Sequence, residues 1–166
     1  MNAALANVLR YNGWANLRLI DACSSLTEEQ LDARADGTSG SIRELLTHAV
    51  GGQQTFVLRT KGRQHEGELG RGSDWPGFAE LRRIAIQTSD ELVEIAEALD
   101  AEREVDLPWQ GKAFRYPVSF FLLHALEHGV EHRTEIKVTM ADLSVQRPDL
   151  DGWSYSQAAR YGQEAR

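Results

Sequence analysis

Apolar positions recur at helical spacing in four long stretches of the chain. Between Ala3 and Ser24 they fall at Leu5, Val8, Leu9, Trp14, Leu17, Leu19 and Ile20, with Gly13 as the one residue that argues against a helix. The Ser24-Ser25 pair and then Thr27-Glu28-Glu29-Gln30 predict a stop followed by a new capped turn. Asp36 to Gly40 is a loop by composition. Ser41, with Glu44 three residues on, forms a capping box for a second stripe of Ile42, Leu45, Leu46, Ala49, Val50, Phe56 and Val57, which fades at Lys61-Gly62. Residues 62–77 carry Gly62, Gly67, Gly70, Gly72 and Gly77 and predict a surface loop. A third helix is expected from Phe78 to Leu99, facing inward through Leu81, Ile84, Ala85, Leu92, Ile95, Ala96 and Leu99. Residues 104–116 hold Pro108 and a Gly-Lys turn between strand-compatible residues, which suits a small hairpin. A fourth helix starts at Pro117, an acceptable first-turn position, and runs to Leu143; a loop from Pro148 and a short amphipathic helix follow. The pattern predicts an all-α four-helix bundle with one long crossover connection and a short C-terminal helix, in a single domain spanning residues 1–166.

Composition narrows the function classes. At 166 residues, with 42% hydrophobic and 26% charged residues, the chain can bury a core without a disulfide or a structural metal. A net charge of −7 argues against a domain built to grip nucleic acid. The longest apolar run, around Phe120–Leu123, is too short to span a bilayer, and the N-terminus lacks the pattern of a secretory signal. The lone Cys23 cannot form an internal disulfide and reads as a small buried residue. These features suit a cytoplasmic protein that binds a small molecule and engages neither nucleic acid nor membrane.

Chemistry concentrates in the fourth helix, where His124, His128 and His132 stand four residues apart. Adjacent members project from one side of a helix, one turn apart, so two imidazoles can reach one metal ion. Stepping 100° per residue centres the apolar face on Val118, Leu122, Ala125, Gly129 and Ile136. His132 falls inside that face, His128 at its edge and His124 beyond it. The pair His128 and His132 is therefore the inward one. Zinc or nickel needs a third protein ligand, and the remaining histidines are His48, on the second helix, and His65, in the Gly-rich loop. A rigid helix is the better platform, yet His48 lies off its own helix's apolar face, so spacing leaves the choice open. Glu127, Glu131 and Glu135 form a parallel stripe that reads as a solvated face, with a supporting role for Glu131 or Glu135 as the sharper alternative. Arg133 points to the bundle side as an ion-pair partner. No G-x-S-x-G elbow, phosphate-binding loop or H-E-x-x-H motif is present.

These segments resemble the DinB-like (DinB/YfiT) superfamily of bacterial four-helix-bundle proteins. Tyr11-Asn12-Gly13-Trp14-Ala15-Asn16 is similar to that family's first-helix segment, and Ser41-Ile42-Arg43-Glu44-Leu45-Leu46-Thr47-His48 to its second-helix start. His124 to Arg133 is similar to its H-x-x-x-H-R segment, and Pro148 to Tyr155 to its ending. The resemblance covers nearly the whole chain. It implies a divalent metal, zinc or nickel, held by His48, His128 and His132, which resolves the choice that spacing leaves open. It also implies a cleft between helices and dimerisation through helix faces. His124 then becomes a near-site residue, and Glu131 stands where many relatives carry a histidine or an aromatic residue.

Some relatives transfer low-molecular-weight thiols to electrophiles, so the resemblance implies a metal-dependent thiol transferase with a small thiol as co-substrate. A metal-dependent hydrolase comes second. The competing expectation is a non-catalytic metal-binding or stress-response bundle, also homodimeric. No protein nucleophile stands out, which is why the chemistry is assigned to a bound ion.

Overall fold

The computed structural model describes residues 2–64, 69–70, 72–99 and 103–161. Four long helices build it: α1 (Ala3–Cys23), α3 (Ile42–Thr60), α4 (Phe78–Glu97) and α5 (Val118–Asp142). Short α2 (Glu28–Leu31), a hairpin of β1 (Glu104–Trp109) and β2 (Lys112–Pro117), and α6 (Gly152–Ala158) complete the element order. Each predicted element is present, with ends shifted by a residue or two. Both predicted capping boxes form, Thr27 with Gln30 opening α2 and Ser41 with Glu44 opening α3. Pro117 closes β2 and caps α5 rather than entering it, since its extended ψ of 139° belongs to the strand.

α1 packs on α4 and α3 on α5, while α3–α4 and α1–α5 contacts close the square. Two apolar clusters fill it. One joins Leu19 and Ile20 of α1, Leu45 and Val50 of α3, Leu81 and Ile84 of α4, and Ile136 and Met140 of α5. The other joins Ala6 and Leu9, Phe56 and Val57, Leu92 and Ala96, and Phe121, Leu122 and Ala125 from the same helices. The order in which each helix meets the clusters makes α1 and α5 run one way and α3 and α4 the other. α3 and α4 are thus parallel, the arrangement that the predicted long crossover connection requires; residues 65–68 and 71 of the predicted Gly-rich loop lie outside the described residues.

A polar layer separates the clusters. Asn12 and Asn16 of α1, Gln53 of α3, Thr88 and Ser89 of α4 and Arg133 of α5 are all buried between them. The Arg133 guanidinium donates to the side-chain oxygens of Asn12 (2.7 Å) and Asn16 (2.5 Å). Both asparagine amides donate to Gln53 Oε1, and Gln53 Nε2 donates to Thr88 Oγ1 (2.6 Å) and Ser89 Oγ (3.1 Å). Burial lowers the Arg133 pKa to about 10, which still leaves it charged at neutral pH. The expected ion pair is corrected here: among the described residues Arg133 meets amide oxygens and no carboxylate.

β1 and β2 pair antiparallel around Gln110-Gly111, both at positive φ (49° and 76°), a geometry that glycine meets without strain. Asp106 and Arg115 pair on the outer face of the hairpin, and the Leu107–Phe114 and Val105–Tyr116 pairs share the other. Cys23 is buried, which pushes its thiol up to about 12. No described helix is long and apolar enough to cross a membrane. α6 buries none of its residues completely, although Tyr155 packs on Tyr11 and Trp14.

Candidate metal centre

α3 and α5 run antiparallel, so His48, near the start of α3, comes level with the second half of α5. There it meets His128 and His132. One ring nitrogen from each of the three lies within 4.8 Å of the others. The ring centroids are 4.8 Å apart for His48–His128, 4.7 Å for His48–His132 and 4.4 Å for His128–His132. Each pair meets near edge-to-face, at 65–80°. His132 is buried and the other two are half-buried.

The spacing suits an ion. Two imidazole nitrogens bound to one tetrahedral zinc at about 2.0–2.1 Å stand about 3.3–3.4 Å apart. His48 Nε2 and His128 Nε2 are 3.2 Å apart. The three side chains would offer imidazole nitrogens, donors that suit a divalent transition-metal ion.

Glu135 orients the buried member. Its Oε2 lies 2.6 Å from His132 Nδ1, and its two oxygens also accept from the Ser39 amide (2.7 Å) and hydroxyl (3.1 Å). Burial opposes ionisation of this carboxyl, but the hydrogen bonds from His132 and Ser39 outweigh it and hold the pKa below the ordinary value. A carboxylate there keeps the proton on Nδ1 and directs the Nε2 lone pair at the other histidines. Glu131, the residue named first for this supporting role, is exposed and makes no hydrogen bond to the triad among the described residues. The reason is angular: Glu135 follows His132 by three residues, nearly one turn, whereas Glu131 precedes it by one and is rotated about 100° away.

His124 lies outside the triad. It pairs with Glu127 at 3.3 Å, stacks on Phe120 and meets the edge of Phe56. His65, the other candidate for third ligand, lies outside the described residues. Gly52 makes room for the site, since a Cβ there would lie 2.4 Å from His128 Cε1. Gly129 does the same on the core side, where a Cβ would lie 2.7 Å from both Asn12 Oδ1 and Arg133 Nη1. A polar cleft of about 410 Å³ opens beside His48, bordered by Ser39, Glu44, Thr47, Gly70 and Ser73.

The DinB family model matches residues 1–166. The chain belongs to the DinB family. Two solved DinB-like proteins share its fold at 19% identity. One, from Bacillus cereus, has a TM-score of 0.62 and covers 90% of this chain and 99% of its own. The other, from Bacillus subtilis, has a TM-score of 0.59, with 89% and 98% covered. No curated protein matches this chain. The likeness to the two solved structures is one of fold, and within that fold three helix-borne histidines lie close enough to hold a metal.

Sequence reasoning missed the polar layer. Asn12, Gln53 and Thr88 occupy core-facing positions at the spacing of their apolar neighbours, and that is the signal by which they could have been found. Glu135 could have been preferred to Glu131 on its three-residue step from His132.

Proposed function

We propose that this DinB family member holds one divalent ion, zinc or nickel, on His48, His128 and His132, and uses it to transfer a low-molecular-weight thiol to an electrophilic small molecule. The observation that carries the reading is the convergence of three imidazole nitrogens from two helices within 4.8 Å. Such an ion, when bound, supplies Lewis acidity that lowers the pKa of a thiol or a water placed at its open positions. The chain's own part is positioning. Glu135 sets the tautomer of His132, Ser39 anchors Glu135, and Gly52 leaves space for the His128 ring. The cleft beside His48 offers the second reactant a polar wall within reach of the ion, which supports an enzyme over a closed binding module. In the reaction proposed, the thiol's sulfur forms a bond to the electrophilic carbon, the leaving group departs with its bonding pair, and the thiol proton passes to solvent.

We place the protein in the cytoplasm as a homodimer formed through helix faces. Leu123 and Val130, two turns apart on α5 and 61% and 44% exposed, suit such a face.

Elemental analysis of untagged protein beside His48→Ala, His128→Ala and His132→Ala tests the site. About one ion per chain in the parent, lost in each variant, supports it. Turnover of bacillithiol or mycothiol with 1-chloro-2,4-dinitrobenzene, abolished by chelation and restored by zinc or nickel, then supports the reaction. Metal bound at full occupancy with no turnover of either thiol would instead favour the non-catalytic binding module.

A further inference from the structure

A second cleft, of about 730 Å³, lies between the hairpin, the end of α3 and the start of α5. That is the size of a pocket for a drug-sized molecule. It is separate from the triad: Arg59 follows His48 by eleven residues of α3, about 16 Å of helix, and Phe120 precedes His128 by eight residues of α5, about 12 Å. The inner face of the hairpin roofs it with Leu107, Phe114 and Tyr116. Apolar strand faces turned towards a bundle are ordinarily covered. Here Phe114 stays 41% exposed, and Phe120, across the cleft, 42%. Tyr116 and Phe120 stack at 5.6 Å and 22°, and Phe120 continues onto His124 at 5.8 Å and 4°. The result is an aromatic wall against which a planar body can lie.

The charge at the cleft is opposite to that of the chain. The protein carries 25 acidic residues against 18 Lys and Arg, yet among the described residues that line the cleft none is acidic and two, Arg59 and Arg63, are cationic. Arg59 is half-buried, and its guanidinium makes no hydrogen bond or ion pair among the described residues. Among the described residues, every other arginine shielded at least as well is engaged: Arg43 with Asp32 and Glu28, and Arg133 with Asn12 and Asn16. A half-buried guanidinium beside aromatic side chains is a receptor for a carboxylate borne on an apolar body. Gln64 Nε2 donates to the Pro108 carbonyl and ties the end of α3 to the hairpin, so the roof is held in place over Arg59.

We infer that this cleft binds an amphipathic organic anion, an aromatic carboxylate with its ring on the Phe114–Tyr116–Phe120 wall and its carboxylate on Arg59. The inference does not rest on the metal reading.

The test is calorimetric titration of the full chain with 2-naphthoate and, in parallel, with its neutral counterpart 2-naphthalenemethanol. It is done on the parent and on His132→Ala, so that failure of the metal site and failure of the cleft are separable. The expected result is one saturable site per chain, unchanged in His132→Ala, with the acid bound at least about tenfold more tightly than the alcohol, as a charge-assisted hydrogen bond supplies. Arg59→Met should remove that preference and leave the alcohol's affinity alone, whereas Phe120→Ala should weaken both ligands. Circular dichroism melts of the variants establish that each is folded. Equal affinity for acid and alcohol, an acid preference that survives Arg59→Met, or no binding of 2-naphthoate at millimolar concentration would each overturn the assignment.

Discussion

His132 and Arg133 are neighbours on α5, yet they belong to two polar clusters of opposite character. Arg133 turns inward to a layer in which nearly every donor meets an acceptor, from Asn12 and Asn16 through Gln53 to Thr88 and Ser89. His132 turns to a cluster in which one ring nitrogen from each of three histidines lies within 4.8 Å of the others. Gln53 and Gly52 repeat the division on α3, one residue serving the layer and the next clearing space for His128. The first arrangement is a hydrogen-bonded network that ties four helices together, with Arg133 Nη2 the one buried donor left without a partner in it among the described residues. The second is a set of imidazoles close enough to hold a metal ion. A step of 100° along a helix is enough to separate scaffold from chemistry.

The sharpest way to break this comparison is to remove the scaffold. Arg133→Met leaves the Asn12 and Asn16 oxygens buried without their donor, and is expected to cost about 3–5 kcal/mol in urea denaturation. A midpoint close to the parent's would mean that the layer does not hold the bundle. Next in size is the ion itself. Zinc or nickel at 100 times its dissociation constant should raise the stability of stripped protein by about 2.7 kcal/mol, an increment that scanning calorimetry should find missing in His132→Ala. Chelation alone should leave the helical dichroism intact, because the two apolar clusters do not depend on the triad.

Smaller effects separate orientation from ligation. Glu135→Gln keeps the shape but weakens the partner of His132, and should reduce ion affinity 10–100-fold in competition with a chromophoric chelator. Gly52→Ala would set a methyl 2.4 Å from His128 Cε1. It should lower ion affinity while leaving the stripped protein as stable as the parent or up to about 1 kcal/mol more so, because alanine is the better helix former. Equal loss of apo stability in Gly52→Ala and Arg133→Met would erase the distinction between the clusters. The least effect is expected at Cys23, whose burial and raised pKa, about 12, should keep it inert to a thiol reagent at pH 8 until the chain unfolds.

The bundle was legible because its information is local. Capping boxes at Thr27 and Ser41, glycines at the crossover and apolar stripes mark each element without reference to the others. The inward turn of His132 was legible too, since it falls within the apolar face of α5 and is the buried member of the triad. His48 was not selected by spacing, because the triad sits on the seam between α3 and α5, off the apolar centre of α3. A ligand shared by two helices is set by how they pack, and one helix's periodicity cannot report that. The same holds for Arg133. Its direction followed from the pattern, but its partners come from α1, more than a hundred residues earlier, and are amides where a carboxylate was expected.

The buried arginine also acts as a length standard. Two seams of purely aliphatic side chains tolerate sliding by a turn, whereas a single buried polar contact penalises it. A slide of α5 by one turn, about 5.4 Å, would carry the Arg133 guanidinium into one of the apolar clusters and strip Asn12 and Asn16 of their donor. It would also shift the histidine ladder by one member, exchanging the pair His128 and His132 beside His48 for His124 and His128 in one direction and leaving His132 alone there in the other. Register is therefore set in the middle of the bundle, and the alignment of the three imidazoles is inherited from it.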